Sequence, residues 1–287
     1  MSSADVAARP AAGAWLALAR VSNTPTVVSN TVAGAVLASA AAEAGTVAVV
    51  AVAMALFYTA GMILNDVLDE AVDRVQRPER PLPSGQVTRR AAITAVAALF
   101  AIGLALLAVE GTEPLLAGLG LVALIVLYDA WHKGNALSPV LMGGCRALVY
   151  VVAALAVTAS VKAEVWGAAA MLLLYIVGLT QAAKAEGGSV LRAWPYAAVL
   201  APVVYFLAVS PTLETILLCG AFGAWAVWAL QLLRAGRIGP AVGALIAGVA
   251  LFDAVAVASA GGSAVAVAVC AAAFAATVAL QTRIAGT

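Results

Sequence analysis

Apolar stretches separated by short polar ones fill nearly the whole chain. Ten of them reach or approach the roughly 20 residues that a helix needs to cross a bilayer. They cover about 14–40, 46–65, 91–109, 114–131, 138–158, 165–183, 195–210, 213–233, 239–260 and 263–281. Apolar positions within each stretch are continuous rather than alternating, which predicts helices over barrel strands. In lipid only helices and closed barrels satisfy their own backbone polar groups. The interiors of 46–64 and 91–109 carry no charge; 195–210 is the shortest stretch, and 263–281 is built mainly from alanine and valine.

Composition agrees with this pattern. Of 287 residues, 64% are hydrophobic and 10% charged, and the mean hydropathy is +1.06. Soluble domains carry about 45–50% apolar and about 25% charged residues. A soluble enzyme, a disordered chain and a nucleic-acid binder are therefore excluded, and the expected partner is the lipid bilayer. The net charge of +1 is uninformative, but its distribution is not. With the N-terminus in the cytoplasm, only Lys162 of the 15 lysines and arginines falls on or near the outer face. The opposite loops hold Glu43, Glu110, Glu113, Glu164 and Glu214. This asymmetry predicts a multi-pass protein of the plasma membrane with both termini and the longer loops cytoplasmic. The first apolar stretch is too long for a signal-peptide core and reads as a retained span. A single integral-membrane domain over 1–287 is expected, with 1–13 as a short tail. Cys145, Cys219 and Cys270 lie inside apolar stretches and read as small buried residues.

The second span runs into the acidic sequence Asn65-Asp66-Val-Leu-Asp69-Glu70-Ala-Val-Asp73. On a helix Asn65, Asp66, Asp69 and Asp73 point to one side. Three carboxylates on one face repel unless a cation sits among them, and hard oxygen donors suit Mg²⁺. The pattern reads as a seat for a metal-bound diphosphate, the plainer reading being a solvated helix end. Next comes Arg77-Pro-Glu-Arg80-Pro-Leu-Pro-Ser-Gly85, in which three prolines forbid a regular helix and present two guanidinium groups suited to phosphate oxygens. Two inner connections, about 66–90 and 181–194, are long enough to be functional.

These residues resemble the first signature of the UbiA superfamily of intramembrane prenyltransferases, over about twenty consecutive positions. The segments Tyr128-Asp129-Ala-Trp131-His132-Lys133 and Pro139-Val-Leu-Met142-Gly143-Gly-Cys145-Arg146 are similar to its EboC-like branch. The resemblance implies an all-α polytopic fold: a UbiA-like bundle of nine to ten transmembrane helices around a central cavity with a lateral opening to lipid. It further implies Mg²⁺-dependent transfer of an isoprenoid from its diphosphate to an unidentified acceptor. Asn65, Asp66, Asp69 and Asp73 are then the metal-holding residues, and Asp66, Asp69, Asp73, Lys133 and Arg146 the catalytic ones. Asn65, Arg77, Arg80, Asn23, Arg20, Tyr128, Gln181, Lys184 and Glu186 are the expected substrate-binding residues.

One departure stands out. The superfamily's second aspartate cluster belongs near the inner end of the sixth span, which here reads Leu179-Thr-Gln181-Ala-Ala-Lys184-Ala-Glu186, without aspartate. Arg146 and Asp253 lie within spans, where a charge is costly and faces a cavity or a partner. Asn30 shares roughly one face with Arg20 and Asn23. His132, the only histidine, cannot build a histidine-based metal site or serine triad and reads as a loop residue. Two alternatives to prenyl transfer remain: an intramembrane terpene cyclase with the same metal site, and a non-catalytic isoprenoid-binding protein with a degenerate second site.

Overall fold

A computed structural model describes residues 11–185 and 193–284. Eleven α-helices and one 3-10 turn account for most of them. They are α1 (Ala11–Leu18), the turn Val21–Asn23, α2 (Thr24–Ala38), α3 (Ala44–Gln76), α4 (Arg89–Glu110) and α5 (Thr112–Trp131). Then follow α6 (Ser138–Val157), α7 (Ala163–Ala185), α8 (Trp194–Val209), α9 (Leu213–Arg234), α10 (Ile238–Ser259) and α11 (Ala264–Gln281). Among the described residues there is no strand. Eight helices, α3–α7 and α9–α11, are long and apolar enough to cross a membrane; α2 and α8 are shorter, at 15 and 16 residues. The protein is a multi-pass, all-helical membrane protein.

The first apolar stretch is not one span. It breaks at Arg20, the only described non-glycine residue with positive φ (43°, ψ 48°), and restarts as α2. Pro25 lies in the first turn of α2, where its missing N–H costs nothing, whereas in the middle of a continuous helix it would remove a bond. Ser22-Asn23-Thr24-Pro25 is thus a helix start that an average of hydropathy passes over.

Helix α3 has 33 residues, or about 50 Å at 1.5 Å each, against a hydrocarbon core of about 30 Å. Its excess length carries Asp66 to Gln76 beyond the apolar layer as continuous helix. The proline-rich segment that follows is non-helical, as expected, and Thr88 closes it by accepting a hydrogen bond from the Ala91 N–H at the start of α4.

Helices α2 and α10 form the middle of the bundle. In α10, 78% of the apolar window is buried, against 17% in α11, although both are equally hydrophobic. Helix–helix contact in lipid depends on small residues that let backbones approach. A Cβ on Gly34 would lie 2.7 Å from the Tyr150 Cα, so α2 and α6 touch backbone to backbone there. Asp253 pins these helices from α10. Fully buried, it accepts hydrogen bonds from Ser29 (2.5 Å) and Asn30 (2.9 Å) of α2 and from the Tyr150 hydroxyl (2.5 Å) of α6.

Candidate functional site

A cavity of about 540 Å³ opens between the 3-10 turn, α2, α3, α5, α6, α7 and α10. The sequence builds it by helical spacing. From α3 come Met54, Phe57, Tyr58, Gly61, Met62 and Asn65, one stripe three and four residues apart. From α7 come Ile176, Leu179, Thr180, Ala183 and Lys184, another such stripe. Each stripe is apolar toward the bundle centre and polar at the end where α3 turns acidic. Asn65, Asp129, Arg20, Arg77, Arg80 and Lys184 meet at that end, above walls of Met54, Phe57, Leu121, Val149, Ile176 and Val249.

The acids behind the polar rim are tied to bases. Asp66 is bound by Arg20 at 3.0 Å and by Arg80 at 3.4 Å, and Arg80 also holds Asp73 at 2.7 Å. Asp66 and Asp73 lie two turns apart on α3, so one guanidinium spans them, and both carboxylates are buried. Asp69 faces another way, to Lys133 at 2.6 Å and to the His132 ring at 3.5 Å. Past the bilayer, Glu70 takes Arg74 (2.7 Å) and Arg89 (2.8 Å), whose hydrogen bonds hold its carboxyl below the ordinary range. Arg89 also donates to the Val67 carbonyl, joining the start of α4 to α3.

Deeper in the cavity, Arg146 donates to Asn30 Oδ1 (2.8 Å) and Thr26 Oγ1 (3.0 Å) and sits 5.7 Å from the centre of the Tyr58 ring. Asn30 gives its amide N–H to Asp253, so its oxygen faces the guanidinium. The half-buried arginine is thereby linked to a buried carboxylate through one amide.

Of the expected site residues, Arg20, Asn23, Asn65, Arg77, Arg80, Tyr128, Arg146 and Lys184 line the cavity. Asp66, Asp69, Asp73 and Lys133 stand behind it through the ion pairs above. Gln181 is not among the lining residues, because Thr180 and Lys184 occupy the inward positions of that turn. Glu186 lies outside the described residues. Asn30 serves the Arg146–Asp253 link rather than the cavity wall. His132 is not a free loop residue, since its ring contacts Asp69 and stacks on Tyr128 with centroids 5.4 Å apart. Tyr58 is a cavity residue that the sequence did not single out, and Cys145, expected only as a small buried residue, also lines the cavity; the seven-residue spacing of Tyr58 from Asn65 and the three- and four-residue spacing of Cys145 from Met142 and Val149 were the available signals.

The donor chemistry at the rim fits a hard divalent ion in one respect. Asp129 Oδ2 is buried without a hydrogen-bond partner, beside an asparagine amide, at the cavity wall. Among the described residues no three carboxylate, histidine or cysteine groups are gathered closely enough to hold a metal alone. That suits Mg²⁺ bound by one or two carboxylates together with substrate phosphate oxygens.

The cavity of this helical membrane protein is cationic at one end and apolar beneath it. The model of the UbiA prenyltransferase family matches residues 27–237, most of this cavity's walls, and the chain belongs to that family. Digeranylgeranylglyceryl phosphate synthase of Methanoregula boonei is 44% identical over 82 residues, 28% of this chain and 29% of that protein. The synthase of Natronomonas pharaonis is 31% identical over 164 residues, 52% of this chain and 59% of that one. These matches span less than two thirds of either relative. Among solved structures, the apo form of a UbiA homolog from Aeropyrum pernix K1 superposes with a TM-score of 0.71 at 20% identity, covering 82% of this chain and 97% of that one. A UbiA homolog from Archaeoglobus fulgidus bound to GPP and Mg²⁺ gives 0.62 at 16% identity, covering 86% and 99%. At these identities the likeness is one of fold.

Proposed function

We propose that the protein is a prenyltransferase that moves an isoprenyl group from its diphosphate to a nucleophilic acceptor inside the membrane, with the acidic end of α3 toward the cytoplasm of a cell bounded by this plasma membrane. One observation carries the reading: the cavity joins a rim of Arg20, Arg77, Arg80 and Lys184 to an apolar chamber with no described charge below Arg146. A diphosphate suits the first and a hydrocarbon tail the second. The family and the similarity to the digeranylgeranylglyceryl phosphate synthases support the donor class, as does the GPP-bound neighbour.

Asn65, Asp66, Asp69 and Asp73 are the residues that would hold Mg²⁺. Bound there with a diphosphate, the ion supplies Lewis-acid stabilisation of the leaving group. The chain's own residues do the rest. Arg77, Arg80 and Lys184 receive the charge that grows on the diphosphate as the carbon–oxygen bond breaks. The ion pairs of Arg80 with Asp66 and Asp73 fix its guanidinium at the rim in advance. Walls of Met54, Phe57, Leu121 and Val149 keep water from the allylic cation, which a waiting nucleophile then captures.

The test is product formation. Purified protein in lipid vesicles with Mg²⁺, labelled prenyl diphosphates of several lengths and a cell lipid extract should yield a prenylated acceptor. Asp66→Ala with Asp73→Ala should abolish it. A terpene formed without any acceptor would convert the reading to a cyclase. Diphosphate binding without turnover would convert it to an isoprenoid-binding protein.

A further inference from the structure

Among the described residues, each of the four acids of α3 at the cavity's polar end is neutralised by a basic side chain. Asp66, Asp69, Glu70 and Asp73 all have arginine, lysine or histidine partners within 4.0 Å. Asp129, on the last turn of α5, has no ion pair among the described residues. It is 3% exposed and lines the cavity. Its Oδ1 accepts a hydrogen bond from Asn65 Nδ2 at 3.2 Å, and its Oδ2 is buried with no hydrogen-bond partner. A buried carboxylate oxygen in that condition needs a proton, a water or a cation.

The surroundings favour the cation. One N–H of the Asn65 amide goes to Asp129, and both residues line the cavity wall. Together α3 and α5 bring an amide and a carboxylate, both carrying hard oxygen donors, to the end of the cavity where Arg20, Arg77, Arg80 and Lys184 also lie. Among the described residues, the end of α7 brings Lys184 to the cavity. We propose that Asp129 is a ligand of the divalent metal that accompanies the diphosphate, supplying a carboxylate from α5. The inference rests on the prenyl-diphosphate reading and adds a ligand to it.

Asp129→Asn is the informative change. The new side chain keeps an oxygen to accept from Asn65 and replaces the unpartnered oxygen with an NH₂ group, so packing is retained while a ligand is lost. The experiment measures Mn²⁺ binding by electron paramagnetic resonance, on full-length protein in detergent with and without inorganic pyrophosphate. With pyrophosphate, Asp129→Asn should weaken Mn²⁺ binding at least tenfold, and Asp129→Glu should recover part of the loss. Melting of the metal-free protein should be nearly unchanged in Asp129→Asn. Unchanged Mn²⁺ affinity in Asp129→Asn, with Asp66→Ala still weakening it, would overturn the inference and leave the prenyl-diphosphate reading intact. Weakened binding accompanied by a large drop in metal-free melting, in both variants, would also overturn it, because Asp129 would then be a structural acid. If the unsubstituted protein bound no Mn²⁺ with pyrophosphate, the metal-dependent reading itself would fall.

Discussion

Arg80 couples the loop after α3 to two acids of that helix, and its removal separates charge from support. Arg80→Ala leaves Asp73 buried without its partner among the described residues, while Asp66 keeps Arg20. Loss of one partner of a buried pair costs about 3–5 kcal/mol, and the lower end is expected here because the Arg80 side chain is itself partly exposed. Thermal melting in detergent should fall, and prenyl transfer should drop at least a hundredfold; Arg80→Lys should restore more stability than turnover, since lysine lacks the fork that spans both carboxylates. Asp253 is the corresponding case in the core. Asp253→Ala orphans the Asn30 amide N–H and the Tyr150 hydroxyl, while Ser29 keeps the Thr26 carbonyl, at roughly 1–3 kcal/mol for each orphaned group before relaxation. Asp253→Asn should cost less. A melt of both variants in the same detergent checks the order.

Close approach and ion pairing hold the elements in register. Gly34→Leu drives a side chain into the Tyr150 backbone and should separate α2 from α6, at about 1–3 kcal/mol or more for overpacking. Gly120→Leu on α5 meets nothing within 4 Å and is the matched control. Parallel yields of folded protein by size exclusion would show the difference. At the other end of the bundle, Glu70 ties α3 to α4 through Arg89. Its carboxyl is depressed in the folded protein, so the pairing stabilises fully above the ordinary glutamate pKa of about 4.3 and is lost as pH falls through the lower folded value. Melting of Glu70→Gln should trail that of the parent protein near neutral pH, by no more than about 1 kcal/mol because both arginines are largely exposed. The gap should close in acid.

For the molecule as a whole, the charge asymmetry sets which way the cavity's polar rim faces. In a protein with Cys145, Cys219 and Cys270 replaced by alanine, Val75→Cys at the exposed end of α3 should react with an impermeant thiol reagent only from the cytoplasmic side. Lys162→Cys, between α6 and α7, should react only from the outside. The reverse pattern would invert the orientation proposed above.

Hydropathy alone fixed the helical membrane class and nearly every span, because a bilayer imposes one length and one backbone solution on any chain that crosses it. The acidic run and the arginines after it were also legible, and the i, i+7 spacing of Asp66 and Asp73 puts both on the side that Arg80 meets, whereas Asp69, expected on the same side, turns to Lys133. The break at Arg20 was hidden because a few polar residues barely move an apolar average. Pairing was hidden altogether: nothing in the sequence says that Asp69 turns to Lys133 while Asp66 and Asp73 share Arg80, or that Asp253 reaches Arg146 through Asn30. Those contacts join residues 7 to 223 positions apart. Local spacing determines what a helix can offer, but only the packing of one helix on another decides which offered charge is met and which, as at Asp129, is left open.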